Sequence, residues 1–425
     1  MRFADVAGWL AWQQTSHPVA IDPGLERVGR VWRRLGLEAP PVVLTVGGTN
    51  GKGSVAAFLD AMLSRAGYAT GLFTSPHLRR YHERIRLSGD EISDGALRDA
   101  FATIDAARGD VTLTFFEWNA LAALIAFAQA RIDVAVLEVG MGGRLDAVNI
   151  LDADVAALVS FGIDHAEWLG RTVEEIGAEK AGIFRPGRPA IVGSRRVPES
   201  VEEHAGRIGA RMRRIGVDFD FVERADGWDY VGFGSRRREL PMPAQGGACQ
   251  LGNAAVALAV LEAVEPRLLV PDEAVRAGLS TVRLPGRFQI VAGEPEWILD
   301  VAHNVEAARC LAASLDARPA KGKTIAVCGI LGDKDIESIV AALATRVDRW
   351  LAVALAGPRA LPVATLARRI QSGGGRRVEA ADDVATALAR VRVECCEGDR
   401  VLVFGSFLTV GPALDWLGLA SSARN

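Results

Sequence analysis

One segment, VVLTVGGTNGKGS at residues 42–54, organises the first half of this sequence. It opens with an apolar run that is typical of a buried β-strand, and residues 55–66 then have helical spacing. Between them lies a glycine-rich turn that contains Lys52. Strand, glycine-rich turn, lysine and helix are the parts of a phosphate-binding loop, in which backbone N–H groups and the helix N-terminus cradle phosphates. We therefore expect the turn to bind a nucleoside triphosphate.

The loop departs from the standard phosphate-loop pattern at three positions. Val46 stands where the first glycine is expected, Gly53 follows the lysine where Ser or Thr is expected, and Ser54 comes one residue late. A glycine-rich turn without phosphate chemistry is the alternative. The rarity of lysine argues against it, because only five of the 49 basic residues are lysines. A lysine kept in this chain points to a task that arginine cannot perform.

The remaining sequence alternates strand and helix patterns. Near-continuous apolar strands separated by helices indicate a mostly parallel sheet that is covered on both faces. Residues 197–250 are polar and predict a small antiparallel excursion, in which Arg236, Arg237 and Arg238 are better explained as a solvated turn than as an anion site. The predicted strands are 133–139, 154–161, 188–192, 297–301, 324–330, 350–355 and 400–404, and the predicted helices include 118–130 and 253–264.

We therefore expect an α/β protein with two domains. A mostly parallel, phosphate-loop-type sheet domain should occupy residues 1–283, and a smaller Rossmann-like α/β domain should occupy residues 284–425. Pro285-Gly286 would break the chain between them. The phosphate loop lies in the first of these domains.

Composition excludes several classes of protein. The chain has 425 residues, 49% of them hydrophobic and 24% charged, which is ordinary for a soluble globular protein. A net charge of −3 implies no bulk attraction to nucleic acid or to an anionic membrane. The apolar stretch 120–128 is shorter than the about 20 residues that a membrane helix needs. Five cysteines without metal-ligand spacing suggest buried or free thiols in a reducing cytoplasm. We expect a monomer, because a crevice formed by a single chain needs no partner.

Two side chains at strand ends suggest a metal site. Glu138 ends one buried strand, and His165 follows the next. The carboxyl ends of parallel strands meet at one edge of a sheet, where the phosphate loop also lies. One carboxylate, one imidazole and phosphate oxygens suit Mg²⁺, which binds few protein ligands. Taken singly, the glutamate could instead be a solvated charge and the histidine a capping or core residue.

Polar residues also end three strands of the second domain. These strand ends are Asp300-Val301-Ala302-His303-Asn304, residues 329–335 and Phe404-Gly405-Ser406-Phe407. They predict one crevice, which should face the first domain. Helix capping is the alternative, since Asp300 and Asn304 would both be good caps.

The variant loop Gly-Thr-Asn-Gly-Lys-Gly-Ser resembles that of the Mur ligase superfamily. More narrowly it resembles the folylpolyglutamate synthases, and in particular the bifunctional bacterial dihydrofolate synthase/folylpolyglutamate synthase family. Further matches extend from about Ile21 to Gly411. The resemblance implies an ATP-dependent ligase that adds L-glutamate to dihydropteroate and to folates through an acyl phosphate, releasing ADP. All its partners would be small molecules, with no nucleic acid and no membrane.

The resemblance also implies roles for individual residues. Four would be catalytic: Lys52, Lys180, His165 and Arg287. ATP would be bound by Asn50, Gly51, Lys52, Gly53, Ser54, Asn253, Arg287 and Asp300, although Cys249-Gln250 precedes Asn253 where many members have His-Gln. One or two Mg²⁺ ions would be held by Ser75, Glu138, His165 and Lys180, the lysine being carbamylated by CO₂. His303, Asn304, Lys334 and Asp335 lie in family motifs and receive no defined role.

Three segments form the implied dihydropteroate site. They are Asp22-Pro23-Gly24, Thr114-Phe115-Phe116-Glu117 and Leu145-Asp146-Ala147. Two aromatic rings beside a carboxylate make a suitable platform for a flat heterocycle. Core packing before the following helix is an equal alternative for Phe115 and Phe116.

Two other functions, a cell-wall precursor ligase and a nucleotide-dependent switch, would share parts of this pattern. A cell-wall precursor ligase would share the loop, the metal ligands and Asp-x-Ala-His-Asn, but the Thr-Phe-Phe-Glu and Leu-Asp-Ala segments argue against it. A GTPase or nucleotide-dependent switch would need an Asn-Lys-x-Asp motif to read the base, which this sequence lacks. Such a switch would also have no use for the Glu138, His165 and Lys180 constellation.

Overall fold

The computed structural model describes residues 2–419 and divides the chain into two compact units. The first unit contains the residues up to Pro243 together with Leu251–Val282. The second contains Ala244–Gln250 together with the residues from Arg283 onward. The sequence did not predict that Ala244–Gln250 would pack with the second unit while the chain on both sides packs with the first.

The elements of the chain up to Val282 follow the predicted alternation. The helices are α1 (Val6–Gln13), α2 (Glu26–Leu35), α3 (Lys52–Arg65), α4 (Asp94–Arg108), α5 (Phe115–Ala130), α6 (Ala166–Leu169), α7 (Val173–Ala181), α8 (Glu199–Ile208), α9 (Gln250–Val264) and α10 (Asp272–Thr281). The strands are β1 (Val42–Gly47), β2 (Thr70–Phe73), β3 (Ile85–Leu87), β4 (Asp90–Glu91), β5 (Val134–Glu138), β6 (Val155–Leu158), β7 (Pro189–Val192), β8 (Arg211–Arg214), β9 (Asp220–Arg224), β10 (Gly227–Val231) and β11 (Arg236–Leu240).

An eight-stranded sheet forms the centre of the first unit, in the order β4-β3-β2-β5-β1-β6-β7-β8. The six strands β2, β5, β1, β6, β7 and β8, which are neighbours in that order, are all parallel. Strand β3 pairs antiparallel with β2, and β4 pairs antiparallel with β3, at one edge of the sheet. The central strands β1, β5 and β6 are buried along their whole length. That burial is why their sequences are near-continuous apolar runs. Val46 pairs with Glu138 and Gly47 with Leu158, so the phosphate loop leaves the sheet between β5 and β6.

Helix α5 begins at Phe115, three residues before the predicted start at Trp118. Thr114 accepts a hydrogen bond from the backbone N–H of Glu117, and Glu117 accepts one from the backbone N–H of Thr114. This capping box satisfies two N–H groups that the first turn would leave unpaired. The Thr-x-x-Glu spacing was visible in the sequence and sets the true start.

The antiparallel excursion is a three-stranded sheet in the order β11-β10-β9. The prediction of a solvated turn at Arg236, Arg237 and Arg238 was wrong, because these residues open strand β11. Arg236 forms an ion pair with Asp229, and Arg237 forms one with Asp272. Neighbouring carboxylates thus explain the arginine cluster. The same region also contains helix α8 and strand β8, neither of which was predicted. Strand β8 pairs with β7 and extends the main sheet.

The second unit is a six-stranded sheet with the order β12-β13-β17-β14-β15-β16. All its pairs are parallel except β12 with β13. The strands are β12 (Gln289–Val291), β13 (Glu296–Asp300), β14 (Thr324–Cys328), β15 (Arg349–Val353), β16 (Val378–Ala381) and β17 (Arg400–Phe404). The helices are α11 (Val305–Asp316), α12 (Ile336–Leu343), α13 (Val363–Ser372), α14 (Val384–Glu394) and α15 (Phe407–Trp416). Phe404 pairs with both Asp300 and Cys328, so three polar strand ends lie at one edge.

The expectation that all five cysteines are free thiols was wrong. Cys249 is bonded to Cys310 in α11, with their Cα atoms 6.2 Å apart, and this bond ties the Ala244–Gln250 segment to the second unit. Cys328, Cys395 and Cys396 are free. None of the helices among residues 2–419 combines the length and the apolar character that crossing a bilayer takes.

Candidate active site around the phosphate loop

The phosphate loop has the backbone that its glycines permit. Gly48 has φ 142° and Gly51 has φ 85°, values that a residue with a side chain rarely adopts. Helix α3 begins at Lys52, directly after Gly51, so its first N–H groups point back to the loop. This is the anion-binding arrangement that residues 47–54 predicted.

Two hydroxyl side chains hold the loop in place. Ser160 Oγ accepts a hydrogen bond from the Asn50 N–H at 2.8 Å and donates one to the Asn50 carbonyl at 2.9 Å. Thr49 Oγ1 exchanges hydrogen bonds with the backbone of Gly162, at 3.0 and 3.1 Å. Sequence analysis missed Ser160. Its position two residues beyond β6, opposite the loop, was the available signal.

The side chains of Lys52 and Lys180 both contact the Gly48 carbonyl of the phosphate loop. Lys180 comes from α7, is 3% exposed, and donates to the Gly48 carbonyl at 3.1 Å. Lys52 donates to the carbonyls of Gly48 and Thr49, both at 3.1 Å. Burial, followed by the positive charge of Lys52, lowers the pKa of Lys180 to about 7. A substantial fraction of Lys180 is therefore a neutral amine at neutral pH.

Glu138 faces the start of α3. It is 5% exposed, and its Oε2 accepts a hydrogen bond from the Ser75 N–H at 3.0 Å. A Cβ placed on Gly53 would lie 3.6 Å from Oε2 and 3.7 Å from Oε1 of this carboxylate. Both distances are ordinary van der Waals separations, so Gly53 lies directly beside the carboxylate.

His165 begins the short helix α6 with a left-handed backbone, φ 51°. Among residues 2–419, no three His, Cys, Asp or Glu side chains stand close enough together to hold a metal ion by themselves. The predicted donors are a buried carboxylate, a hydroxyl and an imidazole beside a phosphate loop. This set fits Mg²⁺, which takes few protein ligands and completes its shell with water and phosphate oxygens.

Asp146 lies buried in the loop that follows β5. Its carboxylate accepts hydrogen bonds from the N–H groups of Met141 and Val148, at 2.9 and 3.1 Å. Burial raises the pKa of Asp146 to about 6, although the backbone donors oppose that shift. Its neighbour Leu145 is half-buried and Ala147 is buried, so this segment lines the interior side of the loop.

Phe115 and Phe116, the predicted aromatic platform, are half-buried and pack against the hydrophobic core. The Phe116 ring packs 5.7 Å from that of Phe73, between ring centroids. A Cβ on Gly140 would lie 2.4 Å from the Phe116 ring, so this ring covers the glycine loop directly. Phe115 lies 6.2 Å from the Tyr81 ring.

A buried cation beside this platform was not predicted. Arg84 Nε donates to His77 Nδ1 at 2.7 Å, and the guanidinium carbon lies 5.7 Å from the Phe115 ring centroid. Burial and this arginine lower the pKa of His77 to about 4, which keeps the imidazole neutral. Arg84 lies in a segment that also contains Arg79, Arg80 and Arg86, and the sequence does not distinguish it from them.

The predicted segment Asp22-Pro23-Gly24 precedes α2, with Asp22 half-buried and Pro23 exposed. Arg27 joins it to the platform, since its guanidinium lies 2.6 Å from Asp22 Oδ2 and 3.3 Å from Glu117 Oε1. Two of the three predicted pteroate segments are therefore connected by one arginine, which sequence analysis did not identify.

Asn253 lies against the phosphate loop from α9. A Cβ on Gly51 would stand 2.6 Å from Asn253 Oδ1 and 2.8 Å from the Val159 side chain. Gly51 is thus required both by its positive φ and by the closeness of the asparagine amide. Asn253 is 7% exposed, so its amide is held in a fixed position beside the loop.

The predicted residues of the second unit occupy a single edge of its sheet. Asp300 accepts hydrogen bonds from the N–H groups of Phe288 and Ala302, at 2.7 and 2.8 Å, and burial raises the pKa of this carboxyl. Asp300 therefore orders the chain beside Arg287 and is not a helix cap. The Arg287 guanidinium carbon lies 5.0 Å from the Phe407 ring centroid.

Histidine and lysine complete this edge. His303 Nδ1 lies 2.8 Å from the Val301 carbonyl oxygen, which can only accept a hydrogen bond, so Nδ1 carries a proton and donates it. Lys334 is 9% exposed and lies 3.6 Å from Asp333. Asn304 caps α11 and Asp335 caps α12, so the capping alternative is confirmed for Asn304.

Comparison with known proteins identifies the family. Residues 46–192 match the Mur ligase middle domain, and residues 286–407 match the Mur ligase, glutamate ligase domain. The curated dihydrofolate synthase/folylpolyglutamate synthase of Escherichia coli (strain K12) is 43% identical over 411 residues, covering 96% of this chain and 95% of that protein. The chain belongs to the dihydrofolate synthase/folylpolyglutamate synthase family.

Solved structures of the dihydrofolate synthase/folylpolyglutamate synthase family share this fold. E. coli FolC in complex with DHPP and ADP has a TM-score of 0.93 and 42% identity, covering 98% of both chains. A bifunctional folylpolyglutamate synthase/dihydrofolate synthase with Mn, AMPPNP and L-glutamate bound has a TM-score of 0.91 and 44% identity, again covering 98% of both chains. The predicted fold class and family are confirmed.

In this dihydrofolate synthase/folylpolyglutamate synthase family member, the first unit gathers two kinds of predicted site residue. Lys52, Lys180 and Glu138 surround the phosphate loop, where charge on phosphate can be neutralised. Phe116 lies over the glycine loop that carries Asp146, which provides a flat apolar surface beside a buried carboxyl group. The predicted nucleotide residues Lys52 and Lys180 and the predicted pteroate residues Phe116 and Asp146 thus all lie on the first unit.

Proposed function

We propose that this chain joins L-glutamate to dihydropteroate and to folates, using ATP to activate the carboxyl group as an acyl phosphate. The chain is an ATP-dependent, amide-forming ligase of the dihydrofolate synthase/folylpolyglutamate synthase family. The observation that carries the proposal is the contact of the buried Lys180 and the half-buried Lys52 with the phosphate loop, with a carboxylate at the adjoining strand end.

ATP binding is assigned to the phosphate loop and to three more residues. Asn50, Gly51, Lys52, Gly53 and Ser54 would surround the phosphates, and Asn253 would contact the adenine. The closeness of the Asn253 amide to Gly51 supports the second assignment. Arg287 and Asp300 would contact ATP from the second unit, and the backbone hydrogen bonds of Asp300 support a fixed position for Arg287. Structures of relatives with AMPPNP or ADP bound support nucleotide binding.

Ser75, Glu138 and His165 would hold a divalent ion. The burial of Glu138 beside Gly53 supports this assignment, and a relative has been solved with Mn bound. When bound, the ion supplies positive charge to the transferring phosphoryl group. One or two such ions are expected, with Mg²⁺ as the physiological metal.

Lys180 would carry a carbamate. Its neutral amine would attack CO₂, forming the N–C bond and releasing one proton to water, which turns a neutral group into an anion. A pKa of about 7 supports this chemistry, because an ordinary lysine would be almost entirely protonated at neutral pH. Arginine could not replace it.

The pteroate ring would lie against Phe115 and Phe116, with Asp22, Pro23 and Gly24 on one side and Leu145, Asp146 and Ala147 on the other. Thr114 and Glu117 would fix the platform through the capping box. The half-buried state of both rings supports a platform, since side chains of the core would be fully covered. A structure of E. coli FolC with DHPP bound supports pteroate-type substrates for the family.

The reaction follows from the chemistry of the carboxyl group. A carboxylate is a poor electrophile, so one of its oxygens would attack the γ-phosphorus of ATP and ADP would leave. The amine of glutamate would then attack the acyl carbon, forming the amide and expelling phosphate. Lys52 and Arg287 would neutralise charge on the phosphoryl group during transfer. The acyl phosphate reacts readily with water, so the half-buried platform must also exclude solvent.

The remaining predictions concern the protein as a whole. A cytoplasmic location is part of the proposal, because the reaction consumes ATP and glutamate. A monomeric state stays a prediction. His303, Asn304, Lys334 and Asp335 are assigned to the phosphate and glutamate side, and the fixed ring of His303 just beyond the end of β13 supports this assignment.

A purified-protein assay tests the proposal. Release of ADP and phosphate should require both glutamate and an acceptor, which would be dihydropteroate for one activity and a reduced folate for the other. Nucleotide-linked muropeptides should not serve as acceptors, since that outcome would indicate a cell-wall precursor ligase. Release of AMP would contradict the acyl-phosphate route.

A further inference from the structure

One histidine outside the predicted site connects two chain segments beside the platform. The His17 side chain is 9% exposed. Its Nδ1 lies 2.9 Å from Thr112 Oγ1, and its Nε2 lies 3.1 Å from Asp22 Oδ2. Thr112 is two residues before the capping box of α5, and Asp22 belongs to the proposed pteroate segment. His17 therefore joins the chain before α2 to the chain before α5.

The chemistry of these partners fixes the orientation of the ring. An ionised carboxylate can only accept hydrogen bonds, so His17 Nε2 must carry a proton and donate it to Asp22. The Thr112 hydroxyl can donate or accept, so it satisfies Nδ1 in either protonation state. Since both nitrogens are bound, the imidazole cannot rotate without losing a hydrogen bond.

Arg27 contacts the same oxygen atom of Asp22. Its guanidinium lies 2.6 Å from Oδ2 and also donates to the Asp22 backbone carbonyl. Its other contact is Glu117, with Nε 3.4 Å from Oε2. Both His17 and Arg27 therefore bind Oδ2, and within residues 2–419 no group hydrogen-bonds Oδ1. The Asp22 side chain is 38% exposed, so Oδ1 is accessible to a ligand.

We propose that His17 is a positioning residue for the pteroate ring, and this rests on the proposed function. By holding Oδ2 together with Arg27, it presents Oδ1 as an acceptor to the N–H edge of the flat heterocycle that lies on Phe115 and Phe116. A 2-amino-pyrimidinone edge, with a ring N–H beside an exocyclic amine, is the chemical partner of such a carboxylate. His17 contacts the Asp22 carboxylate, and Asp22 rather than His17 contacts the substrate.

Steady-state kinetics of four variants test this role. His17→Ala should raise KM for dihydropteroate about ten-fold, as expected when a hydrogen bond to a charged group is lost, with kcat and the KM values for ATP and glutamate nearly unchanged. His17→Gln should recover most of the loss, because its amide can still donate to Asp22. Thr112→Val should show a smaller effect, and combining it with His17→Ala should add nothing. His204→Ala, a partly exposed histidine in α8, is the matched control and should match the wild type.

Two results would overturn the proposal. An unchanged KM for dihydropteroate in His17→Ala would show that Asp22 needs no positioning. Equal changes in all three KM values, with a lower melting temperature and no recovery in His17→Gln, would show a purely structural histidine. Turnover by the wild type tests the proposed function, whereas the difference between the wild type and His17→Ala tests the positioning role. If the wild type lacks turnover, calorimetric titration of wild type and His17→Ala with dihydropteroate decides, and equal or absent binding refutes the positioning role.

Discussion

Lys52 Nζ and Lys180 Nζ both lie 3.1 Å from the carbonyl oxygen of Gly48. Lys180 is buried, whereas Lys52 is half-buried. Burial is the main cause of its lowered pKa of about 7, and the positive charge of Lys52 adds to it. The buried lysine at this carbonyl is therefore available to react as an amine near neutral pH.

Turnover should depend on CO₂ through Lys180. We expect enzyme stripped of CO₂ at pH 6 to lose most of its activity and to regain it after bicarbonate is added. Recovery should be slower at each lower pH, because the neutral amine falls about ten-fold per pH unit below the pKa of about 7. ¹³C NMR with labelled bicarbonate should show one carbamate signal.

Variants of Lys180 separate activation by CO₂ from a general effect of the added bicarbonate salt. Lys180→Ala should lose about 100-fold or more of kcat with or without bicarbonate, as when a charge-stabilising group is removed. A small carboxylic acid should restore part of that activity by supplying the missing anion. Lys321→Ala removes an exposed lysine and should behave as the wild type. Full activity of Lys180→Ala would eliminate the carbamate.

Replacing Lys180 should also stabilise the CO₂-free protein. The unfolded chain keeps this lysine protonated up to its ordinary pKa, whereas the folded chain releases the proton near 7, so stability rises with pH between those values. Lys180→Met removes the cost of burying the charge. We expect a gain on the order of 2 kcal/mol at pH 6 that shrinks by pH 9, measured by urea unfolding.

The control for this measurement is Lys321→Met, which should leave the urea midpoint unchanged at both pH values because the side chain is exposed. A gain for Lys180→Met that is equal at pH 6 and pH 9 would show that packing, rather than the buried charge, sets the difference.

Much of the fold was predictable because the central strands are buried on both faces. Their apolar runs identified β1, β5 and β6, and the loop after β1 identified the nucleotide site. Pairing of Val46 with Glu138 follows from the parallel order, so Glu138 was also predictable. The helical cap at Thr114 could have been read from its spacing to Glu117, which would have corrected the start of α5.

Other contacts depend on long-range packing that leaves no local pattern. His17 and Thr112 are far apart in sequence, and neither has a composition that marks a partner. Cys249 and Cys310 lie 61 residues apart, and only the excursion of Ala244–Gln250 into the second unit brings them together. Arg236 was predicted to lie in a turn because its carboxylate partner, Asp229, lies on the neighbouring strand and leaves no local pattern.

Gly51→Ala should weaken ATP binding through Asn253. The new Cβ would lie 2.6 Å from Asn253 Oδ1, so the loop or the amide must move. We expect KM for ATP to rise about ten-fold or more, since one methyl group in a tight polar site forfeits about one to three kcal/mol of binding. KM for dihydropteroate should be unchanged. Initial rates at varied ATP provide the measurement.

Gly67→Ala is the matched control for backbone strain. Gly67 also has a positive φ, 94°, but a Cβ added to it in the turn after α3 would have nothing within 4 Å. This substitution should lower the melting temperature and leave KM for ATP unchanged. Equal effects of both alanines on KM for ATP would mean that strain, and not contact with Asn253, is responsible.

Gly140→Ala should impair pteroate binding by displacing Phe116. Its Cβ would lie 2.4 Å from the Phe116 ring, too close for either to remain in place. If the ring supports the heterocycle, KM for dihydropteroate should rise about ten-fold while KM for ATP stays constant, because base stacking on an aromatic side chain contributes about one to three kcal/mol. Gly206→Ala, in α8 with open space around it, should change neither constant.

The double variant Gly140→Ala/Phe116→Leu decides between a platform and core packing. Leucine is shorter than phenylalanine and gives the new methyl group room, so the melting temperature lost in Gly140→Ala should return. KM for dihydropteroate should stay high, since leucine offers no flat aromatic face to the heterocycle. Recovery of both properties would mean that Phe116 merely fills space before α5, and the pteroate ring would then have to be placed elsewhere on the glycine loop that carries Asp146.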